Sequence, residues 1–382
     1  MSDIKNHKNT PQSTRRAIVL GCNSISFAVI EALASNEVQV LAVSISRRPR
    51  GRYTRGSVEV VQAPDIYKDR GGLIDYLLAL PGKWSGALIY PTTDAGVSLL
   101  STRRDDLQAR FHVSVPAWDR IGPLFDTRKL YPIARELGIA LPWYLVPDEE
   151  SEIHARRSEI PFPCIVKPGV SDRFVWKFKK KAFIAANFEQ LIDFYRQADR
   201  ANIPVLISEI IAGGDDQFIK YCTYRDRSGE FVSSLCLRKL RQHPTGFGVA
   251  RASITVAMIP EPTWSTNRLL ERVGFRGVCS AEFKYDPRDG QYKLIEVNVR
   301  PQLQERLLLH AGINFPFTAY LDWVEGRSDP VESYNEGLYW IDMYHDVLDY
   351  FRWNSADDHS PGRYFKPYFH PCVLRTPLWP NP

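Results

Sequence analysis

Apolar and polar positions along this chain follow two rhythms, and the change between them marks its organisation. Ala17-Ile18-Val19-Leu20-Gly21 is a short apolar run ending in a turn. Residues 24–35 then have helical spacing, and Val38-Gln39-Val40-Leu41-Ala42-Val43 is a second buried run. This β-α-β order predicts a parallel, doubly wound unit. Further strands are expected at residues 58–61 and 87–90, followed by a helix through Val97-Ser98-Leu99-Leu100. Ligands of such sheets bind beyond the carboxyl ends of the strands, so Thr93 and Asp94 are candidate substrate contacts. Capping of the next helix by either residue is the stronger expectation, and the two roles are compatible.

A second region opens near Ile121. Asp126 is a good N-cap for a helix that ends at Gly138, and Ile139-Ala140-Leu141-Pro142 leads into a strand. Residues 162–168 form a short apolar strand with Lys167 near its end. A basic stretch with interleaved Trp176 and Phe178 runs over 173–181, and residues 188–200 have amphipathic helical spacing. From residue 205 the rhythm becomes antiparallel. Strands are expected at 205–211, 219–224 and 231–238, with Asp226-Arg227-Ser228-Gly229 as a turn. A helix over 266–273 precedes two strands, 279–286 and 292–301, joined by Pro287-Arg288-Asp289-Gly290. Beyond Arg327 the chain is rich in aromatics and prolines and has little periodicity.

Composition narrows the class. The chain has 382 residues, enough for two or three domains, with 44% hydrophobic and 24% charged residues, ordinary globular values. No apolar run reaches the length of a membrane span. Residues 1–16 are polar and lack the apolar segment of a signal peptide, so a disordered leader is expected. The six cysteines show no CxxC or Cys/His cluster, which points to free thiols in the cytosol. A net charge of +5 is mild and fits an enzyme for anionic substrates better than a nucleic-acid binder.

The chemistry concentrates in the last hairpin. Glu296 and Asn298 lie two apart on one strand and point to one face, within reach of Glu282 if the strands pair. Two carboxylates and an amide are hard oxygen donors that suit Mg²⁺ also held by substrate phosphates. Arg300, the next residue on that face, could grip a phosphate or carboxylate. A solvated polar hairpin is the bland counterpart. Lys167, at the end of a buried strand, calls for a phosphate or a salt bridge. Lys129 alone reads as a surface lysine. Glu209, ahead of Gly213-Gly214, could accept from an adenine amino group or a ribose hydroxyl, or sit exposed at an edge. Arg238-Lys239-Leu240-Arg241-Gln242 places three cations at a strand end, for a triphosphate or as a solvated turn. Gly21-Cys22-Asn23-Ser24-Ile25-Ser26 lacks the three glycines of a dinucleotide fingerprint, so an NAD-linked oxidoreductase is only weakly signalled.

Taken in order, these motifs resemble the ATP-grasp superfamily, and within it the carboxylate-amine ligases similar to D-aspartate ligase, over residues 16–323. The resemblance implies an α/β ATP-grasp fold preceded by a Rossmann-like parallel domain. It divides the chain into a leader to residue 15, a pre-grasp domain 16–120, an A subdomain 121–203, a B subdomain 204–326 and an extension 327–382. Lys129 and Lys167 fall on the family's two phosphate lysines. Glu209, Ile210 and Ile211 fall on its adenine hinge, with Asp216 just beyond. Lys239 and Arg241 fall on its basic segment. Glu282, Glu296 and Asn298 fall on its metal triad in the pattern Glu-x-Asn-x-Arg-Pro, with Arg300 as a catalytic cation. The segment after Lys167, usually glycine-rich, is bulkier here, so Arg173, Lys177 or Lys179 would replace its backbone contacts. The implied activity is ligation of a small carboxylate to an amine through an acylphosphate. It would use ATP with Mg²⁺ or Mn²⁺, in the cytoplasm, as a homodimer, with no nucleic acid and no membrane span. An ATP-grasp kinase or carboxylase and a non-catalytic ATP-binding module are the alternatives.

Overall fold

The computed structural model describes residues 15–45, 58–353 and 361–375. Nearly all of the expected leader lies outside these residues. Three sheets meet around one cleft.

The first sheet is parallel: β1 (Arg16–Leu20), β2 (Gln39–Ser44), β3 (Val58–Gln62), β4 (Leu88–Pro91) and β5 (His112–Val113) lie in the order β3-β2-β1-β4-β5. Its central strand is apolar on both sides because both faces are covered. Ile18 and Leu20 enter one hydrophobic cluster, Ala17 and Val19 another. At the end of β1 the turn needs glycine. Gly21 has φ +129°, and a Cβ there would lie 2.4 Å from Thr92 Oγ1 and 2.7 Å from Ser26 Oγ. Hydroxyls thus fill the space where a dinucleotide fingerprint would let a pyrophosphate approach. The helix Ser24–Ala34 is capped instead by Asn23, in a reciprocal pair with Ser26.

The second sheet contains β6 (Tyr144–Leu145), β7 (Cys164–Pro168), β8 (Phe183–Ala185) and β9 (Val205–Glu209), in the order β6-β9-β7-β8 and antiparallel throughout. The helix Phe188–Arg200 follows its expected bounds and buries Leu191, Ile192 and Tyr195. The strand β9, expected to head the third region, lies between β6 and β7 inside the second sheet, so the break between the two layers falls after Glu209. The bulky segment after Lys167, expected as a loop, is the helix Ser171–Phe178, with Phe174 fully buried and Trp176 exposed.

The third sheet is the largest: β10 (Phe218–Arg225), β11 (Phe231–His243), β12 (Val249–Val256), β13 (Gly277–Asp286), β14 (Gln291–Asn298), β15 (Tyr339–Ile341) and β16 (Val373–Arg375). Their order is β14-β13-β10-β11-β12-β15-β16. The strand β12 was not expected, because small and polar residues, Ala250, Ala252, Ser253 and Thr255, mask its alternation. The aromatic tail also does more than its weak periodicity implied. It adds β15 and β16 to this sheet and packs the helix Met343–Trp353 against it.

Ion pairs tie that tail down, Arg251 with Asp349 and Arg241 with Asp346. Asp346, fully buried, accepts from Arg241 Nε at 2.9 Å and Nη2 at 2.7 Å, and from the hydroxyls of Tyr364 at 2.9 Å and Tyr368 at 2.7 Å. A buried guanidinium left without its carboxylate costs far more than the net value of the pair. Asp346→Ala is therefore expected to lower the unfolding free energy by about 3–5 kcal/mol, whereas Arg241→Met with Asp346→Leu comes out much nearer wild type. Urea denaturation of both variants checks this.

Candidate active site

The cleft, about 430 Å³, lies between the second and third sheets and reaches the carboxyl end of β4. Its floor is the β13–β14 pair. Glu282 is directly opposite Glu296, and Ser280 is opposite Asn298, so these side chains share a face. A bulge makes this possible. The register slips between Glu282 and Phe283, leaving Ile295 as the extra residue. Leu294 and Val297, three apart, therefore both enter the hydrophobic core with Phe283 and Ala281, while Glu296 and Asn298 face the cleft. Asn298 Nδ2 donates to Glu296 Oε1 at 3.0 Å. Glu282, Glu296 and Asn298 thus share one face of the β13–β14 pair.

Cations surround this floor. Lys220 on β10 is opposite Glu282, so Lys220, Glu282 and Glu296 form a row across three adjacent strands. Lys239 Nζ donates to Glu282 Oε1 at 2.6 Å and to Gln242 Oε1 at 3.1 Å. Lys239 and Gln242 meet, although three apart, because β11 is bulged around Arg241. Gln242 is fixed in turn by Asp215, which accepts from its backbone N–H at 3.0 Å and its Nε2 at 2.8 Å. Lys167 reaches in from β7 and donates to the Tyr131 hydroxyl at 3.3 Å. Glu296 is open to the cleft yet ringed by protein. Burial pushes its carboxyl up, but Lys239, the Asn298 amide, Lys220 and Lys181 together outweigh that and hold it at about 2. Burial lowers Lys167 to about 8, partly offset by Glu296 and Glu282.

The far end of the cleft is apolar, walled by Ile165, Pro142, Phe218 and Ile295, with the backbone of Ile210 and Ile211 along one side. Lys284 Nζ clamps this hinge by donating to Ile211 O at 2.7 Å and Gly213 O at 2.8 Å. Glu209 lines the cleft, but both its oxygens are engaged. Oε1 accepts from Trp143 N–H at 2.9 Å and lies 3.4 Å from Lys293, and Oε2 accepts from Arg288 at 2.8 Å. It ties β9 to the β13–β14 turn, so an adenine or ribose contact would have to compete with these cations.

Other expected site residues fall elsewhere. Lys129 is exposed on the helix Thr127–Glu136 and does not line the cleft. Asp216 is exposed beside the structural Asp215. Arg241 turns away from the cleft to Asp346, because the bulge that aims Lys239 inward sends Arg241 to the other side. Arg300 is held by Asp94 in a two-pronged pair, 2.6 and 3.1 Å, which joins the end of β14 to the first sheet. Thr93 is the N-cap of the helix Asp94–Thr102, accepting from Gly96 N–H at 3.1 Å. Arg173, Lys177 and Lys179 are exposed, and Lys181 is the basic-stretch residue that lines the cleft. Sequence reasoning missed Lys220, Lys284, Lys181 and Tyr131. A signal existed for two of them. Lys220 and Lys284 lie on strands that are buried along nearly their whole length, where an ammonium group needs a partner.

No family model matches the chain. A D-aspartate ligase of Enterococcus faecium strain Aus0004 is 25% identical over 239 residues, 59% of this chain and 56% of that protein. The chain thus spans a little over half the length of the curated relative it matches. Among solved structures, an N5-carboxyaminoimidazole synthetase from Staphylococcus aureus superposes with a TM-score of 0.68 at 14% identity, covering 89% of this chain and 85% of that one. A biotin carboxylase from Campylobacter jejuni in its β,γ-ATP complex gives 0.67 at 13% identity, over 84% and 74%.

Lys167 supplies a pH test. Its ammonium form predominates below about 8 and is lost as pH rises through that value. The terminal phosphate of ADP loses its last proton at about pH 6, so its charge changes little above pH 8. Affinity for ADP is therefore expected to fall above pH 8, by at most about tenfold per pH unit, the limit for one linked proton. Lys167→Met should bind more weakly at pH 7 and lose this dependence. Calorimetry between pH 6.5 and 9.5 decides; an unchanged slope in the variant counts against Lys167 as the group.

Proposed function

We propose that this chain, which has the ATP-grasp fold, is an ATP-dependent ligase that joins a small carboxylate to an amine and releases ADP and phosphate. The observation that carries the reading is the transverse row Lys220–Glu282–Glu296 at the floor of a cleft whose far end is apolar: Glu282 and Glu296 line the cleft with Lys167 and Asn298, and Lys220 and Lys239 are buried against Glu282. An adenine ring suits that end, beside the Ile210–Ile211 hinge, and the phosphates suit the cationic floor. The likeness to a D-aspartate ligase supports an amino acid as one of the two substrates. Homodimeric assembly and a cytoplasmic location belong to the same proposal. Among the described residues no helix is long and apolar enough to cross a membrane.

The donor set fits Mg²⁺, since a carboxylate and an amide oxygen are the hard ligands this ion takes alongside nucleotide phosphates. Glu296 and Asn298 would hold it beside Glu282; Mn²⁺ has the same preference. When bound, the ion neutralises phosphate charge. The chain's own groups do the rest. Lys167 and Lys239 place ammonium charge against the γ-phosphoryl group while the substrate carboxylate oxygen attacks phosphorus and ADP departs. Such transfer depends on positioning and electrostatic stabilisation. The acylphosphate then loses phosphate as the amine nitrogen adds to its carbonyl carbon, forming the amide and shedding a proton. Water must be kept out meanwhile; Gly169, Val170 and Lys181, which flank the helix Ser171–Phe178, line the cleft and support that helix as its cover.

A matrix of carboxylic acids against amines, read by phosphate release and product mass, tests the reading. A phosphorylated product with no amide would replace the ligase by a kinase. In an active pair, Glu296→Ala is expected to cut substrate-dependent ADP release by about 10²–10³-fold or more, the scale for losing one electrostatic element of a transition-state site. Full activity in that variant refutes the assignment.

A further inference from the structure

Glu282 and Glu296 face each other but are not equivalent. Both oxygens of Glu282 are taken by ammonium groups: Lys239 Nζ donates to Oε1 at 2.6 Å, and Lys220 Nζ stands 3.5 Å from Oε2. All three residues are at least nine-tenths buried, with relative exposures of 5% for Glu282, 5% for Lys239 and 8% for Lys220. Glu296, in contrast, is open to the cleft and is touched by the neutral Asn298 amide. Lys239 is also braced by Gln242, itself fixed by Asp215.

Two carboxylates side by side could in principle gather two divalent ions. Here one of them is already neutralised. Displacing Lys239 from Glu282 would strand an ammonium group in a dry site, which is costly. A second divalent ion at Glu282 would also face two ammonium charges at close range, where low dielectric strengthens repulsion. Counting the floor alone, Lys167, Lys220 and Lys239 oppose Glu282 and Glu296, which leaves one net positive charge before any ion binds. That balance is made for a polyanion, not for metal alone.

We propose that Lys220 and Lys239 are resident cations standing where a second divalent ion would otherwise be needed, so that one divalent ion enters with the nucleotide, at Glu296 and Asn298. Lys220 thereby becomes part of the phosphate-neutralising machinery, a role that no motif assigned it. The inference rests on the nucleotide-binding reading of the cleft.

Mn²⁺ serves as the probe, with free ion counted by electron paramagnetic resonance during titration at saturating β,γ-methylene ATP. The wild-type chain is expected to retain one Mn²⁺ per protein–nucleotide complex. Two per complex overturns the inference and leaves the nucleotide reading standing; a chain that binds no nucleotide takes both down. Glu282→Gln is expected to keep the count at one, and Glu296→Gln to weaken Mn²⁺ retention at least tenfold. Equal loss in the two variants restores Glu282 as a metal ligand and sinks the proposal. In Lys220→Met/Lys239→Met, with thermal unfolding as a check that it folds, Glu282 is freed and the count should rise to two.

Discussion

A buried carboxylate cannot stay ionised in a protein interior without compensating charge, and Glu282 meets that constraint with two lysines from two neighbouring strands. The local architecture follows from this requirement. The strands β10, β11 and β13 must be adjacent, with Lys220 opposite Glu282 and β11 bulged so that Lys239 turns inward. The bulge in β14 delivers Glu296 to the same row while its apolar neighbours remain in the core. A strand of strict period two could not send Leu294 and Val297 inward and still present Glu296 and Asn298 to the cleft. The irregularities are therefore what connect the hydrophobic core to the polar floor.

The three sheets are held in register around the cleft by ion pairs at its rim. Arg300 and Asp94 join the end of β14 to the parallel sheet. Glu209 with Arg288 and Lys293 joins the second sheet to the hairpin turn. Arg241 and Asp346 anchor the carboxy-terminal helix to the back of β11, two residues from Lys239. The Arg300–Asp94 and Arg288–Glu209 pairs are partly exposed and each contributes little to stability, unlike the buried Arg241–Asp346 pair. They act mainly on orientation, since each carboxylate or guanidinium accepts its partner in few geometries. The same residues carry charge next to the cleft, so rigidity and electrostatics come from shared groups.

This sharing explains which parts of the site were legible in the sequence. Glu296 and Asn298 were legible as one face because their two-residue spacing survives in β14, Glu282 because the hairpin pairs it opposite Glu296, and Lys167 because an ammonium group at the end of an apolar strand demands an explanation. Arg241, Arg300 and Glu209 read as ligand-binding residues, but the structure pairs each with an opposite charge distant in sequence, at Asp346, Asp94 and Arg288. Lys129 has favourable spacing but projects from the exposed side of its helix. Lys220 went unmarked because its partner lies three strands away in the chain order and only the sheet pairing brings them together.

The order of apolar runs by itself determined the parallel amino-terminal unit, the antiparallel carboxy-terminal run and the hairpin that bears the acidic floor, since these depend on periodicity and turn chemistry within short segments. Three features were decided only in three dimensions: which of the many charged side chains face the cleft, which neutralise one another, and that the aperiodic tail completes the third sheet through β15 and β16. The reason is physical. Apolar burial is set by local patterning, whereas the state of a charge depends on partners within a few ångströms, and bulges and sheet order choose those partners.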